Sequence, residues 1–299
     1  MNKRSLAILA AIGESTIYGL NHTIAKSVMP LYIKPFGFIL LRVTSAAILF
    51  WLISLWFPKE KVATSDWPRL FAAAIFGMVL NMLLFFKGLS LSTPINSSVI
   101  VTITPILVLL LSSYLLRERI TFLKVSGIFL GLSGALMLVL FSAELRQDAP
   151  NIPLGNLMFM INAFSFGIYL ILIKPLAAKY HPITLMKWLF LCAVVVNFPL
   201  TFAEFSEIQW MELPNPVIWS IVFVLAGTTF STYLLNIFAI KHLSPSTLSS
   251  FIYLQPLIAI IFAVIMGIDQ LNALKIGAGV LVFTGVYLVT KKKTEIRNN

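Results

Sequence analysis

The chain is built almost entirely from apolar stretches long enough to cross a lipid bilayer, and this constrains its fold more than any single motif. A helix needs about 20 residues to traverse the hydrocarbon core. Ten runs come near that length, at roughly 5–29, 36–57, 67–88, 95–116, 122–142, 154–178, 183–204, 215–240, 246–267 and 271–290. The connectors are short and carry helix breakers: Pro30, Pro35, Pro58, Pro94, Pro150, Pro153, Pro182, Pro214, Pro216 and Pro245. Backbone groups in lipid must find partners within the protein, and helices supply them locally. The expected fold is therefore an all-α membrane protein of ten transmembrane helices.

Composition supports the same solvent. Hydrophobic residues make up 59% of the chain and charged residues 11%, against about 25% charged in soluble domains. The net charge of +11 does not imply a nucleic-acid partner, because that requires a basic patch on a water-facing module. Here the bases sit in connectors. With the N-terminus inside, inner segments hold sixteen bases: Lys3, Arg4, Lys59, Lys61, Arg69, Arg117, Arg119, Lys124, Lys174, Lys179, Lys187, Lys241, Lys291, Lys292, Lys293 and Arg297. Outer segments hold five: Lys26, Lys34, Lys87, Arg146 and Lys275. That bias places both termini in the cytoplasm of a cell (inner or plasma) membrane protein. The first run carries Glu14, Asn21 and His22, so it reads as a retained helix rather than a cleaved signal. The single cysteine, Cys192, cannot form an intramolecular disulfide.

The two halves repeat. Ser92 to Thr104, followed by Pro105, matches Leu243 to Gln255, followed by Pro256, at an offset of 151. The register continues through Glu118 on Asp269, Leu123-Lys124 on Leu274-Lys275 and Gly134 on Gly285. Near the start of each half, Tyr18-Gly19 with Lys26 falls on Phe166-Gly167 with Lys174, at an offset of 148. So many matches in one order point to duplication. The expected organisation is a first repeat over 1–143, a second over 150–290 and a basic tail over 291–299. Five spans per half is an odd number, so the halves enter from opposite sides. Inverted repeats of this kind recur in secondary transporters, whose site lies near mid-membrane.

Glu14 is the sharpest anomaly, since a charge at half depth costs at least ~2.5–3.5 kcal/mol on insertion scales. Glu14, Tyr18, Asn21 and Ala25 share one helical stripe, with His22 at its edge. At the repeat offset Glu14 falls on Asn162, and Asn21 on Tyr169. Two roles for Glu14 stand side by side. It lines a cavity, where it binds an ammonium or exchanges a coupling proton, or it is a structural carboxyl satisfied by a neighbour or by Lys26. His22 could relay protons or simply pack. Arg42 could pair with Glu14, clamp a carboxylate or snorkel. Its place near a helix end, like that of its counterpart Lys187, favours an anchor over a ligand. Pro105 and Pro256 each free a carbonyl four residues earlier, on Val101 and Ile252. They serve as hinges or as fixed kinks. Polar side chains crowd around them: Ser97, Ser98, Thr102 and Thr104, then Thr247, Ser249, Ser250, Tyr253 and Gln255. Asn81, Thr228, Thr232, Tyr233 and Asn236 would extend a polar lining. Gly127, Gly131, Gly134, Gly277, Gly279 and Gly285 read as small-residue packing faces, within the bundle or at a dimer seam.

These residues resemble the EamA family of the drug/metabolite transporter superfamily over nearly the whole chain. The likeness is carried by Tyr18-Gly19…Lys26 and Phe166-Gly167…Lys174, by Arg42, and by Gly227-Thr228-Thr229…Tyr233. It is carried further by Pro105…Glu118 and Pro256…Asp269. The usual tryptophan of the aromatic-Gly pair is here Tyr18 or Phe166, and Glu14 has no position in the family pattern. The resemblance implies a ten-helix exporter or exchanger of small polar metabolites such as amino acids, with a cavity between the halves. Proton coupling through Glu14 and exchange without a coupling ion both fit, as do a monomer and a homodimer. No H-E-x-x-H or G-x-x-x-x-G-K-[ST] motif is present, so neither a zinc protease nor ATP-driven transport is expected, and no cofactor or metal. The rivals are an intramembrane enzyme acting on lipid-linked substrates and a non-transporting sensor or scaffold.

Overall fold

The computed structural model describes residues 2–26, 28–29, 31–57, 59–92, 97, 100–141, 150–265 and 272–291. Among them there is no strand. The helices, in chain order, are α1 (Lys3–Lys26), α2 (Pro35–Trp56), α3 (Thr64–Leu91), α4 (Thr104–Leu116) and α5 (Phe122–Phe141). They continue with α6 (Ile152–Lys179), α7 (Pro182–Ser206), α8 (Asn215–His242), α9 (Pro245–Phe262) and α10 (Ala273–Thr290). Seven of these are long and apolar enough to cross a membrane: α2, α3 and α6 to α10. α4 and α5 are shorter apolar helices, and α1 carries the polar stripe.

Local sequence explains the helix starts. Pro35, Pro105, Pro153, Pro182 and Pro245 each sit in a first turn, where the missing N–H is not needed and the fixed φ suits the helix. Side-chain caps add to this. The Asn151 carboxamide accepts from the Leu154 N–H at 3.1 Å and that of Asn272 from the Lys275 N–H at 2.9 Å. α4 ends at Arg117, whose φ of 53° is left-handed. That turn brings Glu118 to Lys124 and to the Ser246 hydroxyl at the start of α9.

Neighbouring helices come in related pairs. α1 packs on α8 and α9, and α6 packs on α3 and α4. α2 packs on α7, α5 on α10 and α4 on α9. Adding five to one helix number and subtracting it from the other turns each of these contacts into itself or its partner. Glycines allow the close approaches. A Cβ on Gly19 of α1 would stand 2.9 Å from the Gln255 carbonyl of α9, and one on Gly167 of α6 would touch Leu111 of α4 at 3.0 Å. The tightest seam joins α5 to α10, where a Cβ on Gly285 would stand 2.5 Å from both Gly127 O and Gly131 N. Gly127, Gly131, Gly134 and Gly285 therefore pack inside the chain rather than forming a dimer seam.

Two features depart from an unbroken bundle of α-helices. The prolines expected to kink continuous helices instead follow interruptions. α4 begins anew at Thr104 after a turn at 102–103, and α9 is broken by a 3-10 turn at Phe251–Tyr253 just before Pro256. In addition, α3 and α8 each contain a π-helical stretch, Ile75–Leu80 and Phe223–Ser231. Neither stretch is foreseeable from the residues, because apolar periodicity does not distinguish one helical winding from another. Away from the core, side chains such as Phe129, Phe198 and Phe283 are exposed, as suits helices whose solvent is lipid.

Candidate functional site

The π stretches make the chemistry of the centre. Widening a turn misaligns backbone partners, and such bulges often occur at functional sites. Here side chains take up carbonyls around the widened turns: the Tyr233 hydroxyl donates to Gly77 O at 3.2 Å, and the Ser165 hydroxyl to Phe76 O at 2.6 Å. Thr229 donates to Val224 O, five residues back, and its oxygen also accepts from Arg42 Nε at 2.9 Å. The π stretch of α8 thus presents the hydroxyl that fixes Arg42.

Arg42 is 5% exposed and lies over the Phe86 ring at 5.5 Å. The guanidinium is buried against α3 and α8 rather than exposed at the end of α2, which speaks against the expected anchor role. Lys187, its counterpart in α7, lies with its ammonium over the Trp51 ring at 5.0 Å.

Glu14 is the other ionisable residue in the centre. Its Oε1 accepts from the Asn236 carboxamide at 2.9 Å, while Oε2 is buried with no hydrogen-bond partner among the described residues. The Asn236 oxygen accepts in turn from the Tyr169 hydroxyl at 3.4 Å. No ion pair joins Glu14 to Arg42 among the described residues. Both line one cavity of about 140 Å³ at the meeting of α1, α2, α3, α4, α6, α8 and α9. An apolar cavity of about 150 Å³ accepts benzene, so this one suits a molecule of comparable size.

The cavity gathers several of the residues singled out from the sequence. Glu14, Tyr18, Asn21, Arg42, Asn81, Asn162 and Gln255 line it. Asn162 is also held in place, donating to Asn81 O at 2.6 Å, and the Asn81 carboxamide donates back to Asn162 O at 3.4 Å. Asn21 accepts from the Thr228 hydroxyl at 2.9 Å. Thr102, Tyr169, Thr232 and Tyr253 are buried but do not line it. Tyr169 packs on Gly77 and Tyr253 on Gly131, and Thr232 donates back to Thr228 O. Polarity alone could not tell a lining residue from one that bridges helices. Ser98 lies outside the described residues, as do the side chains of His22 and Lys26. Sequence reasoning missed the apolar wall of Met82, Phe85 and Phe86, which nothing in composition separates from lipid-facing residues.

Residues 5–140 and 153–291 each match the EamA-like transporter family. The chain belongs to the EamA-like transporter family. An uncharacterized transporter of Archaeoglobus fulgidus is 29% identical over 93% of this chain and 96% of its own length. A WAT1-related protein of Arabidopsis thaliana is 21% identical over 93% of this chain and 80% of its own. The fold is similar to that of a protein of known crystal structure with a TM-score of 0.79, covering 95% of this chain and 96% of that one at 17% identity. As an EamA-like protein with seven apolar helices of spanning length, the chain is a multi-pass membrane transporter.

Proposed function

We propose that this transporter moves a small zwitterion of amino-acid type outward across the cell membrane, by alternating access between two inverted five-helix repeats over 1–143 and 150–290. The observation that carries the reading is a carboxyl and a guanidinium lining one small cavity with no ion pair between them among the described residues. Leaving a charge desolvated and uncompensated costs several kcal/mol. A zwitterion relieves both: its ammonium meets the unpartnered Oε2 of Glu14, and its carboxylate takes the Arg42 donors not used on Thr229. The size of the cavity sets the scale of the ligand, and the Phe85 and Phe86 wall accepts a short apolar side chain.

The inverted arrangement is supported by the repeat register, by the two family matches and by helix contacts that survive exchange of the halves. Cytoplasmic termini are supported by the sixteen-to-five bias in basic residues. The test is flux in proteoliposomes with a panel of small amino acids, comparing wild type with Glu14→Gln and Arg42→Gln. A charge-assisted hydrogen bond is worth about 1.5–3 kcal/mol, so each variant should lose roughly 10- to 100-fold in apparent affinity while expressing normally. Wild-type flux in both variants would overturn the reading. Proton coupling is tested in the same vesicles, since a pH-gradient response that persists in Glu14→Gln removes Glu14 from that role.

A further inference from the structure

A second cavity, of about 320 Å³, opens at the end of the bundle that carries the N-terminus, and it shares no lining residue with the central one. It lies between the start of α1, the start of α5, the connector from α8 to α9 and the end of α10. Three cations from separate helices converge there: Arg4, Lys124 and Lys291. The hydroxyl-bearing residues Thr121, Ser244 and Thr247 stand between them, and no acid is among the described lining residues. Glu118 pairs with Lys124 from behind, which offsets one of the three charges. Arg4 donates one N–H to Thr290 O at 2.6 Å. A guanidinium has five donors, and among the described residues the rest of the fork is open to a ligand. Phe122 of the lining is 84% exposed, so the cavity borders the apolar flank of the bundle.

We propose that this cavity binds a phosphate group, carried either by an anionic phospholipid headgroup or by a phosphate ester free in solution. The planar Arg4 fork can donate two parallel N–H bonds to a pair of phosphate oxygens, and the lysines add point charges. Basic pockets between transmembrane helices at one membrane face take such headgroups. Nothing in this assignment depends on the identity of the transported substrate.

The test uses the full-length protein in nanodiscs of mixed phosphatidylglycerol and phosphatidylcholine, with native mass spectrometry counting retained lipids. A parallel arm measures melting in detergent with inorganic phosphate against chloride at equal ionic strength. Preferential retention of phosphatidylglycerol, cut about tenfold or more in Arg4→Gln/Lys291→Gln and kept in Arg4→Lys/Lys291→Arg, supports the site with lipid as the carrier. Stabilisation by inorganic phosphate with the same variant pattern and no lipid preference supports it with a soluble carrier. Lys291→Gln alone, at an exposed helix end, should cut retention about fivefold and keeps the test readable if the double variant fails to fold. Absence of both effects in the wild type overturns the proposal, as does a preference that survives loss of the charges.

Discussion

At the scale of single residues, the side chains that matter are those whose polar atoms the fold leaves with a defined but incomplete set of partners. Arg42 illustrates how specific the requirement is. Its Nε is held by Thr229 and its plane lies over Phe86, a combination that lysine cannot reproduce. Arg42→Lys should therefore keep the charge yet lose most of the affinity gained from the forked contact, read as a rise in KM for flux. Glu118 lies outside the membrane-spanning helices, between α4 and α5. Burial pushes its carboxyl up, but the Lys124 ammonium and nearby serine hydroxyls, Ser246 among them, outweigh this and hold it below the usual carboxylate range. A carboxyl depressed in the folded state contributes stability that is fully present above its unfolded value, near 4.3, and lost as pH falls through the folded value. Glu118→Gln should lower the melting temperature at neutral pH, and the difference from wild type should shrink on acidification below that range. A gap that stays constant with pH would show that the charge is not what Glu118 contributes.

At the scale of elements, the π stretches and the glycine seams decide how close helices stand and which carbonyls they offer. A Cβ on Gly77 would meet the Tyr169 ring at 2.4 Å, so Gly77→Ala should displace that ring and with it the hydroxyl that touches Asn236. The expected result is a loss of flux larger than the loss of stability, measured by transport and melting on the same preparation. Gly285→Leu tests the seam between α5 and α10. Its neighbours are backbone atoms, which cannot swing aside, and overpacking of this kind costs about 1–3 kcal/mol or more. A drop in melting temperature with the oligomeric state unchanged is expected, because the seam is internal. Much of this level was legible in advance. Apolar length placed the helices, and Pro35, Pro153, Pro182 and Pro245 marked the starts of four of them. Pro105 and Pro256 read as hinges or fixed kinks within continuous helices, since a proline announces a break without saying whether the helix restarts. The π stretches carry no breaker at all. They arise from which tertiary partners accept the displaced carbonyls, and that is not a local property.

At the scale of the whole molecule, the proposed topology places the tail and the α4–α5 connector on one side of the membrane and the α1–α2 connector on the other. Replacing Cys192 by serine leaves a chain without cysteine, into which single reporters can be introduced. A cysteine at Asn299 or Arg119 should react with an impermeant maleimide only after the membrane is opened, and one at Leu31 in intact cells. The reverse pattern would invert the assigned orientation. Glu14 and Asn162 were paired by the repeat, and both reached the cavity, but their difference was not readable. The Asn162 carboxamide is tied back to Asn81, whereas one carboxyl oxygen of Glu14 has no hydrogen-bond partner among the described residues.

That single unbonded oxygen has an electrical consequence. A zwitterion seated between Glu14 and Arg42 adds no net charge, so a carrier that merely shuttles it would be indifferent to membrane voltage. Each proton taken up by Glu14 in exchange for the substrate would move one elementary charge across the field, worth about 2.3 kcal/mol per 100 mV. Current recorded from reconstituted bilayers would then reveal how the cycle is powered before its cargo is named.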